Sequence, residues 1–163
     1  MSPNDRPVKY SVLMPAFNEA KHIAANLRET RRVMESLGAP YEIVAVDDAS
    51  RDGCADIIRE TAAALPEVKP LCLAYNQGKG RALREAFQHS RGEYVFFLDA
   101  DLDLHPRQFK VLRHIMETTG ADVVIGSKRH PETVSNYPWK RRVVSTVYFW
   151  LVKLMFGLPV RDT

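Results

Sequence analysis

Short apolar runs of strand length alternate with segments of helical periodicity five times along this chain. The runs are "YSVLM" (10–14), "YEIVAV" (41–46), "VKPLCLA" (68–74), "EYVFFL" (93–98) and "ADVVIG" (121–126). Between them, Ile23, Leu27, Met34 and Leu37 recur at helical spacing, as do Ile57, Ile58, Thr61, Ala62 and Leu65. Ala82, Leu83, Ala86 and Phe87 mark a third helical face, and Phe109, Leu112, Ile115 and Met116 a fourth. Asn18 is a suitable N-cap for the first helix, and Pro106 suits the opening turn of the fourth. Pro70 demotes the third run toward a sheet edge. The fourth run is continuously apolar and reads as a strand covered on both faces. This alternation predicts an α/β fold: a Rossmann-like, mostly parallel sheet with right-handed crossovers and helices on both faces.

In open sheets of this kind ligands sit beyond the carboxyl ends of the strands, so the residues after each run matter most. They are "PAFNEA", "DDASRDG", "YNQGKGRA", "DADLDLHP" and "SKRHP". Acidic or turn-forming residues follow every run, with a basic pair after the last. A single polar rim holding both carboxylates and cations is the expectation.

The alternating carboxylates Asp99, Asp101 and Asp103 repel one another unless something offsets them. Mg²⁺ or Mn²⁺ would do so, being oxygen-seeking ions commonly held by one or two carboxylates plus substrate phosphates. The alternative is a solvated loop whose aspartates cap the next helix. "VDDAS" (46–50) offers acceptors for a base or ribose, or an Asx turn. "NQGKG" (76–80) sets a cation at a helix N-terminus, where anions are favoured; a plain turn reads equally well, and the spacing is not that of a P-loop. The five histidines are scattered and form no nucleophile constellation; His105 is placed to cap the helix after Pro106. The two cysteines, Cys54 and Cys72, lack metal-ligand spacing and are expected as reduced thiols of a cytosolic protein, with Cys72 packed as a small hydrophobe. The N-terminus has no signal-peptide pattern. The net charge of +3 is mild, with a basic excess in "KRHP" and "WKRR" that favours an anionic partner. No nucleic-acid partner is expected.

The elements "PAFNEA", "VDDAS", "NQGKGRAL", "GEYVFFLDADLDLHP" and "DVVIGSKR", in that order, resemble a family-two glycosyltransferase of the A-type fold. "LDADLDLHP" and the tail from Lys140 narrow the resemblance to the polyprenyl-phosphate (dolichyl-phosphate) sugar synthases. The resemblance implies a nucleoside-diphosphate-sugar donor contacted by Pro15, Phe17 and Glu19, with Val46 and Asp48 at the base and ribose and Asp99 and Ala100 against the nucleotide. It assigns Asp101 and Asp103 to a Mg²⁺ or Mn²⁺ ion, and Asp101, Lys128 and Arg129 to the catalytic centre, Lys128 also neutralising the diphosphate. Asp103 stands where relatives often carry Gln, and Lys128 where they often carry Arg, whose bidentate fork Lys lacks.

The expected activity is inverting sugar transfer to a lipid phosphate. That acceptor is already anionic near neutral pH and needs no strong base. Residues 1–138 read as the donor-binding domain and 139–163 as an amphipathic segment. Within it "VVSTVYFWLVKLMFGL" (143–158) is shorter than the ~20 residues a spanning helix needs. Behind Lys140, Arg141 and Arg142, residues 140–158 suit peripheral contact with the cytoplasmic membrane face. Packing on this domain, on a second copy or on a membrane-protein partner is the alternative. Relatives continue beyond Thr163, so truncation is expected, and a nucleotide-sugar-binding fragment or scaffold, or transfer to a saccharide, stand as alternative functions. A haloacid-dehalogenase-type phosphohydrolase fits less well, since its acidic pair follows the first strand. A nucleotidyltransferase would want glycines that "PAFNEA" lacks.

Overall fold

Four of the five apolar runs pair into one sheet. The computed structural model describes residues 7–126. Within them the order is β1 (Tyr10–Ala16), α1 (Ile23–Glu35), β2 (Tyr41–Asp47), α2 (Cys54–Ala64), β3 (Val68–Cys72), α3 (Lys79–Gln88), β4 (Tyr94–Phe97) and α4 (Gln108–Thr119). The chain divides into two compact units, residues 1–113 and 114–163. The sheet and the first half of α4 belong to the first. In the second, the described residues complete α4, which stops at Gly120 (φ +67) with its N–H on the Met116 carbonyl at 3.0 Å.

The strands lie in the order β3-β2-β1-β4 and all pairs are parallel. Tyr10 stands opposite both Tyr41 and Tyr94, so β1 is the central reference for register. The sheet is wound in both directions from β1, and the reversal of order falls between β1 and β4. Its two faces bury different sets. Val12, Met14, Ile43 and Ala45 pack with Ile23, Leu27 and Met34 of α1, Ile58 of α2 and Phe109 of α4. Leu13, Val44 and Val46 pack with Ala82 and Ala86 of α3. Both central strands are buried along nearly their whole length, which is why they read as unbroken apolar runs.

Several sequence expectations are corrected at the edges. Residues 121–126 carry no strand: the run pairs with no described strand, and Val123 and Ile125 are exposed. β4 is covered unevenly: on the face toward α3, Val95 is half-buried against the set that holds Leu13, Val44 and Ala82. Phe96 stacks on Phe109 with ring centroids 4.4 Å apart, while Phe97 on the opposite face is exposed. Phe87, at the far margin of α3, is exposed as well. Cys72 is exposed because β3 is the outermost of the described strands; Cys54, the first residue of α2, is the buried thiol. Asn18 does not cap α1, which begins behind His22 without a side-chain cap. Pro70 does lie in an edge strand, as expected.

At the amino end of the sheet a buried carboxylate ties three segments together. Glu42 accepts from Ser11 Oγ at 2.7 Å, from the Arg91 backbone N–H at 2.7 Å and from the Arg91 guanidinium at 3.3 Å. Gly92 donates to Ser11 Oγ at 2.8 Å. The opposite, carboxyl end is left to the loops.

Candidate functional site

The loops after β1, β2 and β4 each contain one non-glycine residue with positive φ: Asn18 (56°), Ala49 (57°) and Leu102 (56°). Left-handed backbone at such residues is uncommon and is kept only where surrounding contacts hold it. Here the loops hold one another. Asn18 N–H donates to Ser50 Oγ at 2.8 Å, and Arg51 N–H donates back to Asn18 Oδ1 at 2.9 Å. Ala20 N–H donates to Asp52 Oδ2 at 2.9 Å, and Asp48 N–H to the Ala16 carbonyl at 2.9 Å. Asn18 is therefore a bridge between the first two strand ends, a use of its side chain that competes with capping.

The fourth strand end is anchored from α1. Asn26 Nδ2 donates to the Ala100 carbonyl at 2.7 Å. Beyond it, Leu102 N–H closes a turn onto the Asp99 carbonyl at 3.0 Å, and Asp101 Oδ1 accepts from Asp103 N–H at 3.1 Å. His105 caps the following turn, its Nδ1 accepting from Arg107 N–H at 3.2 Å, and its Nε2 lies 3.2 Å from Glu29. The Arg32 guanidinium bonded to Glu29 holds that carboxyl below its ordinary range.

These loops enclose a cleft of about 230 Å³ at the point where strand order reverses. Pro15, Ala16, Phe17 and Glu19 line it from the end of β1, Asp48 from β2, and Lys79 and Ala82 from α3. Asp99, Ala100 and Asp101 line it from the loop after β4. Lys79 Nζ is 2.5 Å from Asp99 Oδ1, and both side chains reach solvent. Asp48 is only 3% exposed, and its two carboxylate oxygens accept from the Gln77 and Gly78 amides, each at 2.8 Å. The cleft thus carries four carboxylates and one lysine, open at Asp99 and Asp101 and closed at Asp48.

Seven residues expected at a donor site share this wall: Pro15, Phe17, Glu19, Asp48, Asp99, Ala100 and Asp101. Val46 does not. It is fully buried among Leu13, Val44 and Ala82, because the alternation of β2 turns it into the packing under α3. Asp103 is exposed and outside the lining, its amide folded back onto Asp101. Lys128 and Arg129 lie outside the described residues, as does the segment 140–158. Among the described residues no helix is long and apolar enough to cross a membrane, and no three His, Cys, Asp or Glu side chains are grouped to hold a metal ion. Lys79 was absent from the expected site residues, although "NQGKG" announced a cation at a helix start. Asn26 had no comparable cue, since its partner lies in another strand's loop.

A sequence model of the family described as Glycosyl transferase family 2 matches residues 11–160. The chain is 33% identical over 165 residues to the dolichyl-phosphate beta-glucosyltransferase ALG5A of Trichomonas vaginalis, covering 96% of this chain and 51% of that one. It is 35% identical over 154 residues to the undecaprenyl-phosphate 4-deoxy-4-formamido-L-arabinose transferase of Shewanella sediminis, covering 93% and 45%. The chain thus spans about half the length of these curated relatives. Among solved structures, the mannosyltransferase PcManGT of Pyrobaculum calidifontis, in complex with GDP-Man and Mn²⁺, matches with TM-score 0.51 and 30% identity over 60% of this chain and 28% of that one.

Proposed function

The chain belongs to glycosyl transferase family 2, and from that premise we propose that it transfers a sugar from a nucleoside diphosphate to a polyprenyl phosphate, with inversion at the anomeric carbon. The observation that carries this reading is the single cleft in which Asp48, Lys79, Asp99 and Asp101 meet at the strand-order reversal. The names of the two curated relatives support the lipid-phosphate acceptor.

The nucleoside would lie along Pro15, Phe17 and Glu19, with the diphosphate toward Lys79, Asp99 and Asp101. The donor set fits a divalent cation. Asp99 and Asp101 offer hard oxygen ligands, both reach solvent, and Asp101 Oδ2 makes no hydrogen bond to the described residues. Too few protein ligands stand there for a closed cage, as expected for Mg²⁺ or Mn²⁺ that completes its shell with water and substrate phosphate. A bound cation there supplies charge stabilisation for the departing diphosphate. Lys79 contributes a second positive charge to the same phosphates, and Lys128 and Arg129 would extend it. An acceptor phosphate oxygen forms the new bond to the anomeric carbon as the bond to the diphosphate oxygen breaks, and the nucleoside diphosphate leaves. A phosphate acceptor requires no general base for this step. Residues 140–158 would bring the site to a membrane face without spanning it.

Calorimetry of UDP- and GDP-sugars with Mn²⁺ tests donor binding, and Asp101→Ala is expected to abolish its metal-dependent part. Undiminished metal-dependent binding by that variant would remove the cleft from consideration. Incubation with a polyprenyl phosphate and labelled donor tests transfer. Binding without transfer would instead support the narrower reading of a nucleotide-sugar-binding unit.

A further inference from the structure

β4 ends at Phe97, and the cleft aspartates follow it in a loop where Asp101 and Asp103 are both exposed. Leu102, between them, is held at φ 56°, left-handed backbone that a residue with a Cβ keeps only under restraint. Two ties that restrain this loop come from one helix. Asn26 and Glu29 stand one turn apart on α1 and therefore share a face. Asn26 Nδ2 donates to the Ala100 carbonyl at 2.7 Å, just before Asp101. Glu29 Oε1 lies 3.2 Å from His105 Nε2, beyond Asp103. The ring is itself fixed: Nδ1 accepts from the Arg107 N–H at 3.2 Å, so the proton belongs on Nε2, which donates to Glu29. Arg32, a further turn along, donates to both oxygens of Glu29, at 2.6 and 2.8 Å, and orients the carboxylate. Between the two ties, Leu102 packs against the core set that includes Leu27 of α1.

We propose that Asn26 and Glu29 are positioning residues: α1 grips the acidic loop at both ends, at Ala100 directly and at His105 through its ring, and so fixes the direction in which Asp101 meets the cleft. Both ties act outside the aspartate side chains, which leaves the Asp101 carboxylate facing the cleft. A carboxylate already held in its direction loses less freedom when a cation binds it than one on an unrestrained loop. The proposal rests on the reading of the cleft as a metal-dependent nucleoside-diphosphate-sugar site, but its first test does not.

That first test uses the chain without metal or nucleotide. The amides of Leu102, Asp103 and Arg107 make the hydrogen bonds that shape the loop. Glu29→Ala and Asn26→Ala should each speed their hydrogen exchange about fivefold, with the amides of β1 and β2 unchanged. Glu29→Gln, whose amide oxygen still accepts from His105, should restore the slower exchange. Both ties hold one loop, so the double variant should add little to the single ones. Unchanged exchange in either folded alanine variant, or strictly additive effects, overturns the grip. The second test follows Mn²⁺ binding by electron paramagnetic resonance in the presence of UDP or GDP. Either alanine variant should raise the Mn²⁺ concentration for half-saturation about tenfold and leave the affinity for the metal-free nucleotide unchanged. Glu29→Gln should again match the unmutated chain. Unaltered Mn²⁺ binding, or an equal loss of metal-free nucleotide binding, overturns the positioning role and makes the ties purely structural. If the unmutated chain binds Mn²⁺ with neither diphosphate, the donor-site reading fails, and the exchange measurement alone decides whether α1 fixes the loop.

Discussion

Glu42 is a carboxylate at 2% exposure whose partners come from β1 and from the turn before β4. Truncation would leave the Ser11 hydroxyl and the Arg91 amide without their acceptor. Glu42→Ala is therefore expected to cost about 1–3 kcal/mol in urea unfolding, the half-exposed Arg91 guanidinium turning to solvent, and Glu42→Gln less, because an amide oxygen still accepts. Gly92 belongs to the same junction. A Cβ there would lie 2.5 Å from Ser11 N and 2.8 Å from the Tyr10 carbonyl carbon, both backbone atoms that cannot turn aside. Gly92→Ala should cost about 1–3 kcal/mol by the same measurement. The thiols differ in a way their sequence contexts do not suggest. Burial pushes Cys54 from its ordinary 9.0 up to about 11, and burial beside Glu67 pushes Tyr41 from 10.0 up to about 12. Both groups lose their proton more readily unfolded, so stability is full below about pH 9 and falls as pH rises toward 12. Thermal unfolding across that window, on the chain and on Cys54→Ala, measures the thiol's share. In the native state a thiol reagent should label Cys72 quickly and Cys54 only on unfolding.

At the level of elements, helices and loops do more than cover the sheet. α1 buries Ile23, Leu27 and Met34 on one side and sends Asn26 to the carbonyl of Ala100, between the two cleft aspartates of the loop after β4. Asn26→Ala should cost only about 1 kcal/mol of stability, yet raise the Mn²⁺ concentration needed for donor binding. A matched loss in metal-free and metal-dependent binding would show that the turn is held without Asn26. The loops after β1 and β2 are similarly joined through Asn18, whose side chain accepts from Arg51 N–H while its backbone is left-handed. Asn18→Gly relieves the φ but removes the acceptor; Asn18→Ala removes the acceptor and leaves the left-handed φ on a residue with a Cβ. The alanine variant is expected to be the less stable of the two in thermal melts.

For the molecule as a whole, how much was legible follows from the range of the interaction concerned. The apolar runs 10–14, 41–46, 68–74 and 93–98 became strands and the intervening periodic segments became helices, because side-chain period is a local property. The polar rim was legible too, since a parallel sheet delivers all its strand ends to one side. Solvent cover was not. Phe97, Phe87 and Cys72 look as apolar as their buried neighbours, and only the order β3-β2-β1-β4 puts them at margins. The run 121–126 has strand composition but no described strand to pair with, and strand propensity without a neighbour is weak. Membrane contact also belongs to this scale. Vesicles rich in anionic lipid should retain the chain and lose it on removal of residues 140–163, whereas equal sedimentation of both would place the basic tail elsewhere.

By itself the sequence determined the period of each segment, the direction of the sheet and the chemistry gathered at its carboxyl edge, all of which depend on residues close together in the chain. Tertiary structure alone decided that Lys79 faces Asp99, that Asp48 turns to the Gln77 and Gly78 amides, and that Val46 packs beneath α3. Those outcomes depend on which strands become neighbours. Each is settled by distances between segments that no local pattern encodes.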